Sequence, residues 1–209
     1  MPDPISWSHA WPYLLAAFAG GYLLGSVPFG LLLSRAAGLG DIRKVGSGNI
    51  GATNVLRTGR KDIALATVIL DGGKGALAAW IASLWGPDAS LVAALGAVLG
   101  HCFPLWLRFR GGKGIATACG VMLVVSWQVA AAAGVTWLVV AVLTRYSSLS
   151  ALIATALSPL YAWLLLGDLQ LVEFCALLAV LLWVRHHRNI RNLLTGKESK
   201  IGGSKKAAG

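Results

Sequence analysis

The chain has 209 residues, of which 56% are hydrophobic and only 12% charged, and its mean hydropathy is +0.70. A soluble domain carries roughly 25% charged residues, so an ordinary soluble enzyme is excluded and an all-α polytopic integral membrane protein is expected. The net charge of +10 is not a nucleic-acid footprint. Every Lys and Arg except Lys74 falls in four segments, at 35–61, 108–113, 145 and 185–206, and basic segments of a membrane protein face the cytoplasm.

Taken in order, residues 1–10 carry Asp3 and His9 and lack the basic start and cleavage site of a signal peptide. Trp7, Trp11 and Tyr13 read as an aromatic belt on the outer side. A first span is expected over about 11–34, with small residues in Gly20–Ser26 for close helix contact and a kink at Pro28. It reaches the cytoplasm at Arg35. Residues 35–61 form the first cytoplasmic loop, with a short interfacial helix expected at Ile50–Arg57.

The second span, 62–85, contains Asp71, Lys74 and three glycines. Irregular polar backbone inside a bilayer is tolerated only when buried or lining a wet cavity, so a break or strong bend is expected here, facing the first loop. The third span, 90–107, ends in a second cytoplasmic loop. The apolar run 115–143 is too long for one span and lies between two inside loops. It therefore divides into 115–128 and 129–143, turning near Ser126–Gln128. Spans at 150–166 and 171–186 complete seven crossings. The N-terminus is outside and the C-terminus inside. Residues 1–190 make a single transmembrane domain and 191–209 a basic cytoplasmic tail, whose last residues, from Gly202, are expected to be disordered. The cysteines Cys102, Cys119 and Cys175 lie in or beside apolar segments and read as small core residues. No Cys/His spacing suggests a metal.

The chemistry-bearing residues all fall on the cytoplasmic side. In Val45–Arg57 the glycines Gly46, Gly48 and Gly51 lie among Ser47, Asn49, Thr53, Asn54 and Arg57, with Arg43 just upstream. Backbone N–H groups and Arg forks both match phosphate oxygens, so this loop reads as half of a phosphate-handling site. Gly111-Gly112-Lys113-Gly114 adds glycine N–H donors and a lysine. It lacks the Walker A spacing and equally suits an ordinary basic loop. Asp71 and Lys74 are either a neutralising intramembrane pair or a pair that positions the site. His101 reads as a hydrogen-bonding helix-end residue. His186 and Asn189 suit a general base or phosphate donor, or a polar cap with Arg185 and Arg188. Glu198 stands among basic residues, which suits a salt bridge. Ser148 and Ser150 are weaker candidates. The H-x4-D motif of acyltransferases with soluble donors is absent. A one-sided basic site favours an enzyme over a transporter or flippase for an anionic lipid or phosphate compound, which would place polar groups near the midplane.

Taken together, Gly46–Arg57, the D-x-x-KG of Asp71–Gly75, the H-x-FP-x4-F-x-GGKGIAT of His101–Thr117, and Arg185–Glu198 with its His186, Asn189 and Glu198 resemble the bacterial acyl-phosphate:glycerol-3-phosphate acyltransferases, the PlsY family. The resemblance runs from the first span to the tail. It implies a multi-pass enzyme of the bacterial inner membrane that transfers a fatty acyl group from acyl phosphate to glycerol 3-phosphate. The products would be lysophosphatidic acid and inorganic phosphate, with no cofactor and no metal. The substrates, the bilayer and the enzyme that makes acyl phosphate are the implied partners. The resemblance also implies that Ser47 and Arg57 are essential and that Gly111–Gly114 hold glycerol 3-phosphate. His186 and Asn189 would serve the site, and Glu198 would be structural. The acid–base group stays open between His186 and the donor's own phosphate.

Overall fold

The computed structural model describes residues 7–202, and the described secondary structure is entirely helical. Asp3, the Trp7 side chain and residues 203–209 lie outside the described part. The chain forms two compact units, one ending at Trp127 and the other beginning at Gln128.

In the first unit, α1 (Trp7–Gly25) and α2 (Phe29–Ala36) are separated by the break expected at Pro28. Trp11 and Tyr13 are exposed. The first loop holds a 3-10 turn at Ile42–Lys44, the one-turn helix α3 (Ala52–Val55) and a second 3-10 turn at Leu56–Thr58. It is followed by α4 (Lys61–Ser83), α5 (Pro87–Cys102) and α6 (Ile115–Val125). Pro87 opens α5 at a position where a missing N–H costs nothing.

The expected break at Asp71–Gly75 does not occur, because α4 runs through it without interruption. Its polar side chains find partners inside the protein, so the backbone ladder need not open. Gly72 and Gly75 serve packing instead. A Cβ on Gly75 would meet the Thr117 carbonyl oxygen at 2.6 Å, and a Cβ on Gly120 would overlap the Gly72 carbonyl, so α4 and α6 touch backbone to backbone. The contact of α1 with α5 has the same basis. Gly21 and Gly25 press on the Ala93 and Ala97 backbone, while Gly96 and Gly100 press on Phe18, Tyr22 and Ser26. The small residues of Gly20–Ser26 thus do what their spacing suggested.

The second unit contains α7 (Trp127–Thr144), α8 (Ser147–Leu166), α9 (Leu169–Arg185) and α10 (His187–Leu194). Gly167, at φ +63°, ends α8, and the Asp168 carboxylate accepts from the Leu171 N–H at 3.1 Å to start α9. The α10 helix turns from α9 by 66°. The tail expected from residue 191 is partly folded. The Ile201 N–H donates to the Arg145 carbonyl at 2.6 Å, and the Arg145 guanidinium returns a bond to the Ile201 carbonyl at 3.0 Å.

Five helical stretches among the described residues are long and apolar enough to cross a bilayer. A sixth is reached if α9 and α10 count as one bent span, and the shorter α6 is apolar as well. The burial pattern inverts that of a soluble domain. Small residues such as Ala79, Ala94 and Ala97 are buried, whereas Leu65, Ile69, Trp80, Val142 and Leu143 are exposed. Cys102 and Cys175 are buried as expected of core residues, but Cys119 is exposed.

Candidate active site

The first loop is folded around Asn54. This side chain is only 1% exposed. Its Nδ2 lies 2.8–2.9 Å from the carbonyl oxygens of Ile42, Val45 and Asn49, so its two hydrogens are shared among three acceptors. Its Oδ1 accepts from the Ser47 N–H at 3.1 Å and the Ser47 hydroxyl at 3.3 Å. Asn54 was a candidate phosphate ligand, but both ends of its amide are spent on the loop, so it is a positioning residue. Asn49 likewise uses its Oδ1 on the Gly51 N–H at 2.9 Å. Ser47, Thr53 and Arg57 remain exposed.

Gly46 and Gly48 flank Ser47 at φ +56° and +70°, a region in which a Cβ is strained. Gly46 is needed for space as well. A Cβ there would lie 2.5 Å from Asn54 Oδ1 and 2.8 Å from the Arg57 NH1. The Arg57 guanidinium therefore lies against the loop backbone next to Ser47. Arg43 has a different task. Its Nε and NH2 form a fork on the Asp41 carboxylate, at 2.9 and 2.5 Å, and its backbone N–H donates to Asp41 as well. These bonds hold the Asp41 carboxyl far below the usual carboxylate range and raise Arg43 above its own, with burial opposing weakly. Arg43 is thus committed to fixing the 3-10 turn at Ile42–Lys44.

The glycine–lysine loop is stitched to the end of α5. The Gly111 N–H donates to the Cys102 carbonyl at 3.2 Å, and the Gly112 N–H donates to the His101 carbonyl at 3.0 Å. Two of the N–H groups expected to serve a phosphate are therefore committed to the loop. A Cβ on Gly112 would collide with the His101 ring, and one on Gly111 with the His101 carbonyl. Only glycine lets this strand of backbone lie so close to α5. Gly114, at φ +86°, then turns the chain into α6 just after Lys113.

Beneath this loop lies a buried polar cluster. Lys74 Nζ is 2.6 Å from Asp71 Oδ1, 2.6 Å from the Val27 carbonyl oxygen and 3.0 Å from His101 Nδ1. Asp71, Lys74 and His101 are all at most 5% exposed. The neutralising pair is present, and it reaches both the break before α2 and the end of α5. His101 is the helix-end residue that its position suggested. Two further supports escaped the sequence reading. The Tyr22 hydroxyl donates to the Phe103 carbonyl at 2.7 Å, and the Trp106 indole N–H donates to the Ser26 carbonyl at 2.8 Å. Tyr22 is a hydroxyl-bearing residue within the apolar stretch Leu14–Gly25 of α1, and that was the available signal.

The second unit holds the remaining candidates. Glu198 Oε1 accepts from Ser148 Oγ and from Asn189 Nδ2, both at 2.7 Å. Glu198 thus ties α8 to α10 by hydrogen bonds, in place of the salt bridge its basic neighbours suggested. Ser150 is buried and gives its hydroxyl to the Tyr146 carbonyl at 2.8 Å. His186 is 3% exposed, with Nδ1 2.7 Å from the Leu182 carbonyl oxygen. A carbonyl only accepts, so Nδ1 carries a hydrogen and donates it there.

Comparison with known proteins covers most of the chain. The family model described as glycerol-3-phosphate acyltransferase matches residues 15–196. A glycerol-3-phosphate acyltransferase of Rhodospirillum rubrum is 59% identical over 197 residues, covering 90% of this chain and 91% of the relative. One from Sinorhizobium fredii is 55% identical, covering 96% and 98%. A crystal structure of PlsY, an integral membrane glycerol 3-phosphate acyltransferase in its glycerol 3-phosphate form, has a TM-score of 0.85 at 38% identity, covering 90% of this chain and 96% of that one. The lysophosphatidic acid form gives 0.83 at 36% identity, covering 90% and 94%.

Proposed function

The chain belongs to the glycerol-3-phosphate acyltransferase family, and from that premise we propose how its residues perform the transfer. The protein is a multi-pass membrane acyltransferase that places an acyl group on glycerol 3-phosphate and gives lysophosphatidic acid. The proposed donor is acyl phosphate, the proposed location is the bacterial inner membrane, and the proposed arrangement is seven crossings with the N-terminus outside.

The observation that carries the reading is the first loop. Its Asn54-centred frame holds Ser47 at an exposed turn beside the Arg57 guanidinium. Such an arrangement suits a phosphate, because a hydroxyl and a planar fork can both donate to its oxygens. Acyl phosphate is a mixed anhydride and needs no further activation. The glycerol hydroxyl attacks the acyl carbonyl, a C–O ester bond forms and the bond from the acyl carbon to the phosphate oxygen breaks. The proton leaves with the inorganic phosphate, directly or through the Nε2 of His186. Holding the two reactants in that geometry can supply roughly 7–11 kcal/mol of barrier lowering. Arg57 and Ser47 are assigned to the donor phosphate, where cationic donors stabilise the departing charge. Lys113 and its glycine loop are assigned to the acceptor phosphate. His186 and Asn189 enter through the match of their motif, with Asn189 steadied by Glu198.

Kinetics with labelled glycerol 3-phosphate test the assignment. Arg57→Ala is expected to lower turnover by about a hundredfold or more, the usual effect of removing a donor to developing charge, while the protein still inserts. Lys113→Ala should act mainly on the KM for glycerol 3-phosphate. Normal activity and normal glycerol 3-phosphate affinity in Lys113→Ala would remove the phosphate role of that loop.

A further inference from the structure

The cluster beneath the glycine–lysine loop contains more than a neutralised charge pair. A lysine ammonium has three N–H bonds and no lone pair. Lys74 Nζ lies 2.6 Å from Asp71 Oδ1, 2.6 Å from the Val27 carbonyl oxygen and 3.0 Å from His101 Nδ1, and that ring nitrogen is 3.7 Å from Asp71 Oδ1, beyond hydrogen-bond reach. The first two can only accept. With Lys74 as the ammonium, the third N–H goes to His101, and a ring nitrogen that accepts carries no hydrogen. The hydrogen of the neutral imidazole is then on Nε2. That edge of the ring faces the loop, since a Cβ added at Gly112 would lie on Nε2. The same loop is bonded to the His101 carbonyl through the Gly112 N–H at 3.0 Å.

We propose that Lys74 locks His101 in the Nε2–H tautomer, and that His101 is thereby the positioning residue that sets the glycine–lysine loop for the acceptor phosphate. The cation acts at a distance from the substrate. It fixes which edge of the imidazole carries the hydrogen, and that edge lies against the Gly112 backbone beside Lys113. Asp71 balances the charge, without which a buried ammonium would be strongly destabilising. The Val27 carbonyl lies in the break between α1 and α2, where it accepts from the Phe29 N–H at 3.1 Å as well as from Lys74. The cluster therefore also ties the segment leading to the first loop to the segment leading to the second. The second half of the proposal rests on the reading that Lys113 and its glycines hold the phosphate of glycerol 3-phosphate.

Two measurements on the full-length protein in nanodiscs test this. Nitrogen NMR of histidine-labelled protein, with His101→Gln to assign its signals, should show His101 with a bare Nδ1 and a protonated Nε2 at neutral pH. In Lys74→Met that bias should be lost. A His101 protonated on Nδ1, or on both nitrogens, overturns the tautomer lock. Kinetics test the consequence. His101→Leu should raise the KM for glycerol 3-phosphate about tenfold, equivalent to about 1.4 kcal/mol, with a smaller effect on kcat. His101→Gln keeps one acceptor and one donor and should recover most of that loss. An unchanged KM in His101→Leu, or a Gln variant no better than Leu, sinks the positioning role. Lys113→Ala separates the two readings. If its KM rises and that of His101→Leu does not, only the positioning claim fails. If neither rises, the phosphate-loop reading fails, and the NMR result still decides the tautomer.

Discussion

Replacing Asn54 by leucine would remove its polar contacts with three carbonyls and with the Ser47 N–H and hydroxyl at once. Each buried carbonyl or N–H left without a partner costs about 1–3 kcal/mol. Asn54→Leu is therefore expected to unfold the first loop and abolish activity, and limited proteolysis of the segment 41–58 would detect the opening. Asn54→Asp keeps the oxygen that meets Ser47 but loses the donors to three carbonyls, so it should be nearly as damaging. Glu198 gives a graded comparison. Glu198→Ala releases both Ser148 and Asn189, whereas Glu198→Gln keeps one acceptor oxygen. The alanine variant should lower kcat/KM several times more than the glutamine variant. Asp41 gives a negative prediction. Its folded carboxyl is held below its unfolded value, so its contribution is complete above the ordinary carboxylate pKa, about 3.9, and is lost only as the pH falls through the lowered value. The pair is partly exposed and worth about 1 kcal/mol at most. Asp41→Asn should therefore leave the shape of the pH–rate profile between about pH 5 and 8 unchanged.

At the scale of elements, small residues decide which helices can touch. Gly25 in α1 meets the Ala97 backbone so closely that any Cβ would overlap it. Gly25→Val should separate α1 from α5. Overpacking costs typically about 1–3 kcal/mol, so a thermal-shift assay should show a clear loss, while Gly20→Ala, with open space at its Cβ, should show almost none. This scale also marks what could be read in advance. The small-residue spacing of Gly20–Ser26, the interruption at Pro28 and the short helix within Ile50–Arg57 were legible, because each depends on neighbours a few residues away. The continuity of α4 was not. Asp71 and Lys74 look like a helix breaker until their partners are known, and those partners are distant in sequence: Val27 lies in the break between α1 and α2, and His101 lies on α5. The N–H groups of Gly111 and Gly112 misled for the same reason, since their acceptors belong to the end of α5. Asn54 looked like a ligand because sequence gives the type of a side chain but not its direction.

For the whole molecule, composition and charge were the most informative features. Many large apolar side chains face outward while alanines fill much of the interior beside a smaller set of large residues such as Leu31, Phe174 and Leu182, which suits a chain surrounded by lipid and agrees with the mean hydropathy of +0.70. The four basic segments predict that the loops near Gly86–Asp88 and Gly167–Gln170 lie outside and that α10 lies inside. Accessibility of single cysteines to a membrane-impermeant thiol reagent in intact cells checks this. Labelling at position 168 and protection at position 192 are expected, on a background in which the native cysteines are replaced. The motifs carried the family further than any local geometry could, because four of them occur in register along the chain.

The central claim is that an already activated acyl phosphate is transferred to glycerol 3-phosphate at a site built to hold phosphate. Phosphate release by the purified protein is its most direct test. Acyl phosphate is expected to yield inorganic phosphate only when glycerol 3-phosphate is present, with one lysophosphatidic acid formed per phosphate released. Full turnover with acyl-CoA as the sole donor, or phosphate release that ignores glycerol 3-phosphate, would contradict it.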